Sequence, residues 1–107
     1  MRLRAVVEYI EEHLDASPTL GHMAAVARLS PYHFARQFKR ATGLAPHQYV
    51  IAHRVERAKG LLQAGTDLSL ALVAAYAGFS DQSQFCQHFR RVVGVTPGQF
   101  RKSAGIG

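Results

Sequence analysis

The 107-residue chain is short of acids, nearly without cysteine and free of long apolar runs. Each shortage excludes something. Cys86 is the only cysteine, so no internal disulfide can form, and a reducing compartment, the cytoplasm, suits the chain. No apolar run approaches the ~20 residues that a membrane-spanning helix needs. The opening MRLRAVVEYIEEH is interrupted by acids and lacks the form of a signal peptide. Glycine nowhere clusters into a phosphate-cradling loop, and no Ser/His/Asp set or carboxylate pair is visible. An enzyme is therefore not expected, and neither is a cofactor. The histidines, at 13, 22, 33, 47, 53 and 88, form no i, i+4 helical pair, and Cys86 and His88 point to different faces, so no metal site is read.

The seven acids are unevenly placed. Residues 1–30 hold three Arg against four acids, net −1, whereas residues 31–107 hold ten Lys or Arg against three, net +7. An excess of this kind suits a polyanion partner, and it equally serves solubility.

What is present is a repeat. Ser30 to Tyr49 reads SPYHFARQFKRATGLAPHQY, and Ser80 to Phe100 reads SDQSQFCQHFRRVVGVTPGQF. At a shift of 51, Phe34 meets Phe85, Phe38 meets Phe89, and Lys39-Arg40 meets Arg90-Arg91. Gly43 then meets Gly94, Pro46 meets Pro97, and Gln48 meets Gln99. Upstream the shift is 50, pairing Thr19 with Ser69 and Ser30 with Ser80, so the second copy carries one extra residue between Ser80 and Phe85. One structural unit is used twice.

Each unit begins with a short apolar helix. Thr19 and Ser69 are its expected N-caps. Leu20, Met23, Ala24 and Ala27, and likewise Leu70, Val73, Ala74 and Ala77, fall at helical spacing. A tight break follows, at Arg28-Leu29-Ser30 and Gly78-Phe79-Ser80. A second helix then starts, capped by Ser30 in the first copy with Pro31 at its first position. Its expected buried stripe is Phe34, Phe38 and Ala41, or Phe85, Phe89 and Val92. Gly43 and Gly94 end the two helices in the left-handed conformation that glycine favours. Helix, tight turn and crossing helix make the helix-turn-helix pattern.

The outward face of the second helix carries Tyr32, Ala35, Arg36, Lys39 and Arg40 in one copy. In the other it carries Gln82, Ser83, Cys86, Gln87, Arg90 and Arg91. Gln, Ser and Arg at the front of such a helix suit base edges in a major groove. Lys39, Arg40, Arg90 and Arg91 at the back suit phosphates. A lone basic run is ordinarily a solvated face; two basic pairs placed alike in two units ask for more. Cys86 reads as a small filler beside the groove.

The rest is helical as well. Leu3 to about Leu14 is an amphipathic helix expected to cover the apolar back of the first unit. Pro46 opens a helix to about Ala64, a rod of ~28 Å. That length approaches the ~34 Å turn of a duplex and would let both outward helices dock in successive major grooves. Gly65-Thr66-Asp67 breaks the rod, and Pro97 to about Ser103 closes the chain. Thr96 is a good cap before Pro97, whereas Ala45 before Pro46 is a poor one, at a cost of ~1 kcal/mol. The expected fold is all-α, with about seven helices. Residues 1–45 form the first helix and lobe, 46–64 the linker helix, and 65–107 the second lobe.

The chain from about Leu3 to Arg101 resembles the DNA-binding domain of the AraC/XylS family of bacterial transcription regulators. The most specific parts are Ala77-Gly78-Phe79-Ser80-Asp81-Gln82-Ser83, Phe85, Phe89-Arg90, Gly94-Val95-Thr96-Pro97 and Phe100-Arg101. Leu29-Ser30-Pro31-Tyr32 with Phe34, Phe38-Lys39 and Gly43 is the counterpart in the first unit. The resemblance implies two helix-turn-helix lobes joined by a long helix. It places Tyr32, Ala35 and Arg36, and Gln82, Ser83 and Gln87, at base-facing positions. It implies double-stranded DNA and RNA polymerase as partners. The separate effector or dimerisation domain of most members has no counterpart in this chain.

There are departures from the pattern. Gln87 stands where many members carry a basic residue. Ala35 cannot hydrogen-bond through its side chain, but it can touch a thymine methyl. Arg28 stands where the first turn often has Gly, which at positive φ would cost about 1 kcal/mol. Gly60 weakens the linker helix by ~1 kcal/mol. Leu72 replaces a usual acid and leaves exposed apolar area. A second class of function, a helical module that binds an acidic protein surface, stays open at this level, with Leu72 and the acidic first helix as its interface.

Overall fold

The computed structural model describes residues 1–65 and 67–106, leaving aside the side chain of Ile106. Thr66, in the expected break, lies outside the described residues. Seven α-helices and one short 3-10 turn are present, with no strand among the described residues. The chain divides into two compact units, Met1–His53 and Arg54–Gly107. The division falls inside one helix, α4 (Pro46–Gln63).

The first unit is α1 (Leu3–Glu12), a 3-10 turn (Leu14–Ala16), α2 (Leu20–Ala27), α3 (Pro31–Thr42) and the start of α4. Its core is Val6, Ile10, Leu14, Met23, Ala24, Ala27, Phe34, Phe38 and Val50. Helix α1 therefore covers the apolar back of the helix-turn-helix, as its stripe requires, while Glu8, Glu11 and Glu12 stay exposed. It stops at Glu12 and not at Leu14, which belongs to the 3-10 turn and is buried there. Phe38 meets Tyr49 edge-on at 5.1 Å, which docks the start of α4 on α3.

The second unit holds the rest of α4, then α5 (Leu70–Ala77), α6 (Gln82–Val93) and α7 (Pro97–Ile106). Phe85 and Phe89 are fully buried, together with Val55, Ala58 and Val73. Phe89 meets Phe100 edge-on at 5.4 Å, repeating the Phe38–Tyr49 contact at the matching positions. Arg101 Nη2 donates to the Leu68 carbonyl at 2.6 Å and ties α7 to the segment ahead of α5. Helix α7 runs past the expected Ser103, and α4 ends one residue earlier than expected.

Caps explain where the helices begin. Thr19 Oγ1 accepts from the His22 N–H, and Ser69 Oγ from the Leu72 N–H, as expected. Thr96 and Gln99 form a reciprocal capping box, with Thr96 N donating to Gln99 Oε1 at 3.0 Å and Gln99 N to Thr96 Oγ1 at 3.1 Å. Ala45 supplies no such oxygen, yet Gln48 Oε1 still accepts from its N–H at 3.1 Å. Half of the box survives in the first unit.

One expectation needs correction. Ala41 and Val92 are exposed, Val92 by half, and do not extend the phenylalanine stripe. Gly43 and Gly94 end each helix just after these residues. Ser80 aligns with Ser30 in sequence, but the N-cap of α6 is Asp81, whose side chain accepts from the Gln84 N–H. The extra residue thus lengthens the turn ahead of the helix and leaves the helix register untouched. In α4, Ile51 and Arg54 are buried, whereas Ala52 and His53 are only half-buried.

Candidate nucleic-acid interface

In both units the tight turn has one backbone form. Arg28 sits at φ 59°, ψ 40° and Gly78 at φ 98°, ψ 10°, each in the left-handed region. Leu29 N donates to Ala24 O at 3.0 Å, and Phe79 N to Ala74 O at 2.9 Å. These bonds close the helix ends in the Schellman manner. Arg28 therefore adopts the strained state that glycine tolerates freely. The turn presents the next helix with its aromatic side inward and its polar side outward.

On α3, Tyr32 is 67% exposed and Arg36 is exposed, while Ala35 between them is half-buried. Arg36 Nη1 donates to Tyr32 Oη at 3.5 Å, and its guanidinium carbon lies 5.6 Å from the ring centroid. The last turn holds Lys39 and Arg40, both exposed. Cations there also complement the negative end of the helix dipole. On α6, Gln82, Ser83 and Gln87 are exposed, and the last turn holds the exposed pair Arg90 and Arg91. Neither α3 nor α6 contains an acid, so nothing within either helix offsets these charges.

The positive excess is not spent evenly. Lys59 pairs with Glu56 at 3.2 Å, Arg54 is buried, and Arg101 is held by Leu68 O. Among the described residues Lys39, Arg40 and Arg90 stand in no ion pair. Arg91 Nη2 donates to His88 Nδ1 at 2.8 Å. Arginine cannot accept, so that nitrogen of His88 must be the unprotonated one. His88 also stacks on Phe79 at 6.0 Å and is half-buried. His33 Nδ1 lies 3.0 Å from the hydroxyl of the cap Ser30. Cys86 is half-buried, and no group of three metal-ligating side chains exists among the described residues.

The structure adds residues that sequence reading left in the core. Leu20, at the start of α2, is 42% exposed and lines a cleft of about 410 Å³ together with Ala35. No periodicity could have shown this, because Leu20 lies on the apolar stripe of its helix. Leu72 is 46% exposed beside Tyr76 at 57%, so the apolar area expected from the missing acid is present. No helix is long and apolar enough to cross a membrane among the described residues.

Two outward helices on repeated helix-turn-helix scaffolds, cationic at the back and hydrogen-bonding at the front, define a DNA-binding domain. Comparison with known proteins names the family. The model of a helix-turn-helix domain family matches residues 23–103. The probable transcriptional regulator LumQ of Photobacterium leiognathi is 40% identical over 93 residues, covering 87% of this chain and 37% of that protein. The DNA-binding domain of the global transcriptional factor AdpA, solved in complex with a target DNA, is 37% identical with a TM-score of 0.86, covering 94% of this chain and 90% of that one. An AraC-type regulator structure from Chromobacterium violaceum is 26% identical with a TM-score of 0.86, covering 95% of this chain and 90% of that one. The chain belongs to the AraC/XylS family of transcription regulators. It spans about a third of the length of the curated relatives it matches, 37%, 33% and 30% of the first three.

Proposed function

We propose that the chain is the duplex-reading part of a bacterial transcription regulator, with α3 and α6 each entering a major-groove window. The observation that carries this reading is the duplicated outward face, whose basic pairs Lys39-Arg40 and Arg90-Arg91 are exposed at matching places. Similarity to a domain solved on a target DNA supports it. In this reading Arg36 pairs with guanine O6 and N7, and Gln82 and Gln87 pair with adenine, while Ser83 takes either donor or acceptor. Tyr32 holds Arg36 in place, and Ala35 meets an apolar group. Lys39, Arg40, Arg90 and Arg91 grip phosphates and set register without reading sequence. The two units then recognise a two-part site, one window each. RNA polymerase is the second partner of a protein so engaged, and the cytoplasm is its place of work.

The test is selection from a random duplex library, followed by titration at several salt concentrations. A two-part enriched motif is expected, with affinity falling at a log–log slope of about −4 for four phosphate contacts. Enrichment of no motif would overturn sequence reading. A flat salt response with retention of an acidic protein would favour the protein-binding class instead.

A further inference from the structure

The cleft beside Ala35 is unlike the rest of the reading face. Its floor and walls include the side chains of Leu20, Met23, Ala35 and Pro46. Among the described residues, Thr19 and His47 are the polar side chains of its lining, and no Asp, Glu, Lys or Arg lines it. The Thr19 hydroxyl already accepts from the His22 N–H at 3.1 Å. Leu20 is 42% exposed, although it shares the apolar stripe of its helix with Met23, Ala24 and Ala27, which are buried. Arg36, the next residue along α3, is exposed and carries only donors. An apolar recess thus adjoins a bidentate donor on one helix.

Base edges in the major groove are polar with one exception. Guanine shows two acceptors, cytosine a donor, adenine a donor and an acceptor, and thymine an acceptor plus a 5-methyl group. A carbon-lined recess on a groove-facing helix has one matching feature among the four bases. Burying that methyl against Ala35 and Leu20 removes apolar area from water on both sides. A cytosine placed there presents only a hydrogen at C5 in place of the methyl, so the apolar contact is lost.

Resting on the reading of α3 as a groove helix, we infer that the cleft between the starts of α2 and α4 is a thymine-methyl seat. Leu20 and Ala35 are its specificity-determining residues. The thymine they read lies within about two base pairs of the guanine paired with Arg36, because adjacent residues of one helix face adjacent steps of the groove.

The experiment replaces each thymine of the selected motif, one at a time, with deoxyuridine. This removes the methyl and leaves every hydrogen-bonding group in place. One thymine in the half-site of the first unit should lose about fourfold in affinity, the weight of one buried methylene-sized group. In Ala35→Ser and Leu20→Ala that penalty should fall toward onefold. Neither side chain is buried, so both variants should fold, which circular dichroism checks. A motif in which every thymine tolerates uracil overturns the inference and leaves base reading standing. So does a penalty of unchanged size in both variants, since the methyl is then read elsewhere. Failure to enrich any motif overturns the reading of α3, and this inference with it.

Discussion

The Arg36 guanidinium lies 5.6 Å from the centroid of the Tyr32 ring, one helical turn ahead of it on α3. The pair is exposed, so the stack is worth ~0.5–1 kcal/mol. Its value is geometric. A planar fork held against a ring enters the groove with less rotamer freedom left to lose. Arg36→Ala should therefore cost ~1–3 kcal/mol on the selected motif and relax the preference at one base pair. Tyr32→Ala should cost about half as much on the same motif, while Tyr32→Phe, which keeps the ring, should stay close to the parent. Titration of the motif and a scrambled duplex checks all three. Equal losses on both duplexes would show that the pair reads no base.

Arg90 stands in the last turn of α6 with no acid in its helix. Arg90→Ala should weaken motif and scrambled duplex alike and reduce the salt slope by about 1. Arg91 also holds His88, so Arg91→Ala should add a loss of thermal stability that Arg90→Ala lacks. Parallel titrations at three salt concentrations, with thermal melts, separate the two.

Gly60 lies within α4, and a Cβ built there meets nothing within 4 Å. Gly60→Ala should thus stabilise by ~1 kcal/mol, since it removes unfolded-chain freedom without a clash. A melt showing no gain would mean that the helix is strained at this point.

The two turns offer a matched pair of changes. Gly78→Ala forces a side chain into φ 98° and should cost about 1 kcal/mol. Arg28→Gly relieves the strain at φ 59° but adds glycine's entropy, so its gain should stay below about 1 kcal/mol. Denaturant titration of both variants measures the asymmetry. A gain from Gly78→Ala would contradict the strain argument.

Much of this protein was legible in the chain itself, because local rules govern it. Thr19, Ser30 and Ser69 cap where short side-chain oxygens meet free N–H groups, and Gly43 and Gly94 terminate where positive φ is needed. The repeat did the rest, since Phe34, Phe38, Phe85 and Phe89 are all fully buried at the spacing their pattern demands. The failures lie where a neighbour in space, and not in sequence, decides. Ala41 and Val92 continue the stripe by spacing, but the packed chain leaves both of them exposed. Asp81 caps α6, and the extra residue of the second copy lies in the turn ahead of that helix.

Order along the chain, helix boundaries to within a few residues, and the sign of the outward charge follow from amino-acid identity alone. They depend on periods, caps and composition, which reach no further than one or two turns. Tertiary packing decided which apolar side chains were left over. Leu20 and Met23 share a stripe, yet Met23 is buried and Leu20 opens onto the cleft beside Ala35. Coverage by another element is a property of the packed chain, and no pattern within a single helix contains it.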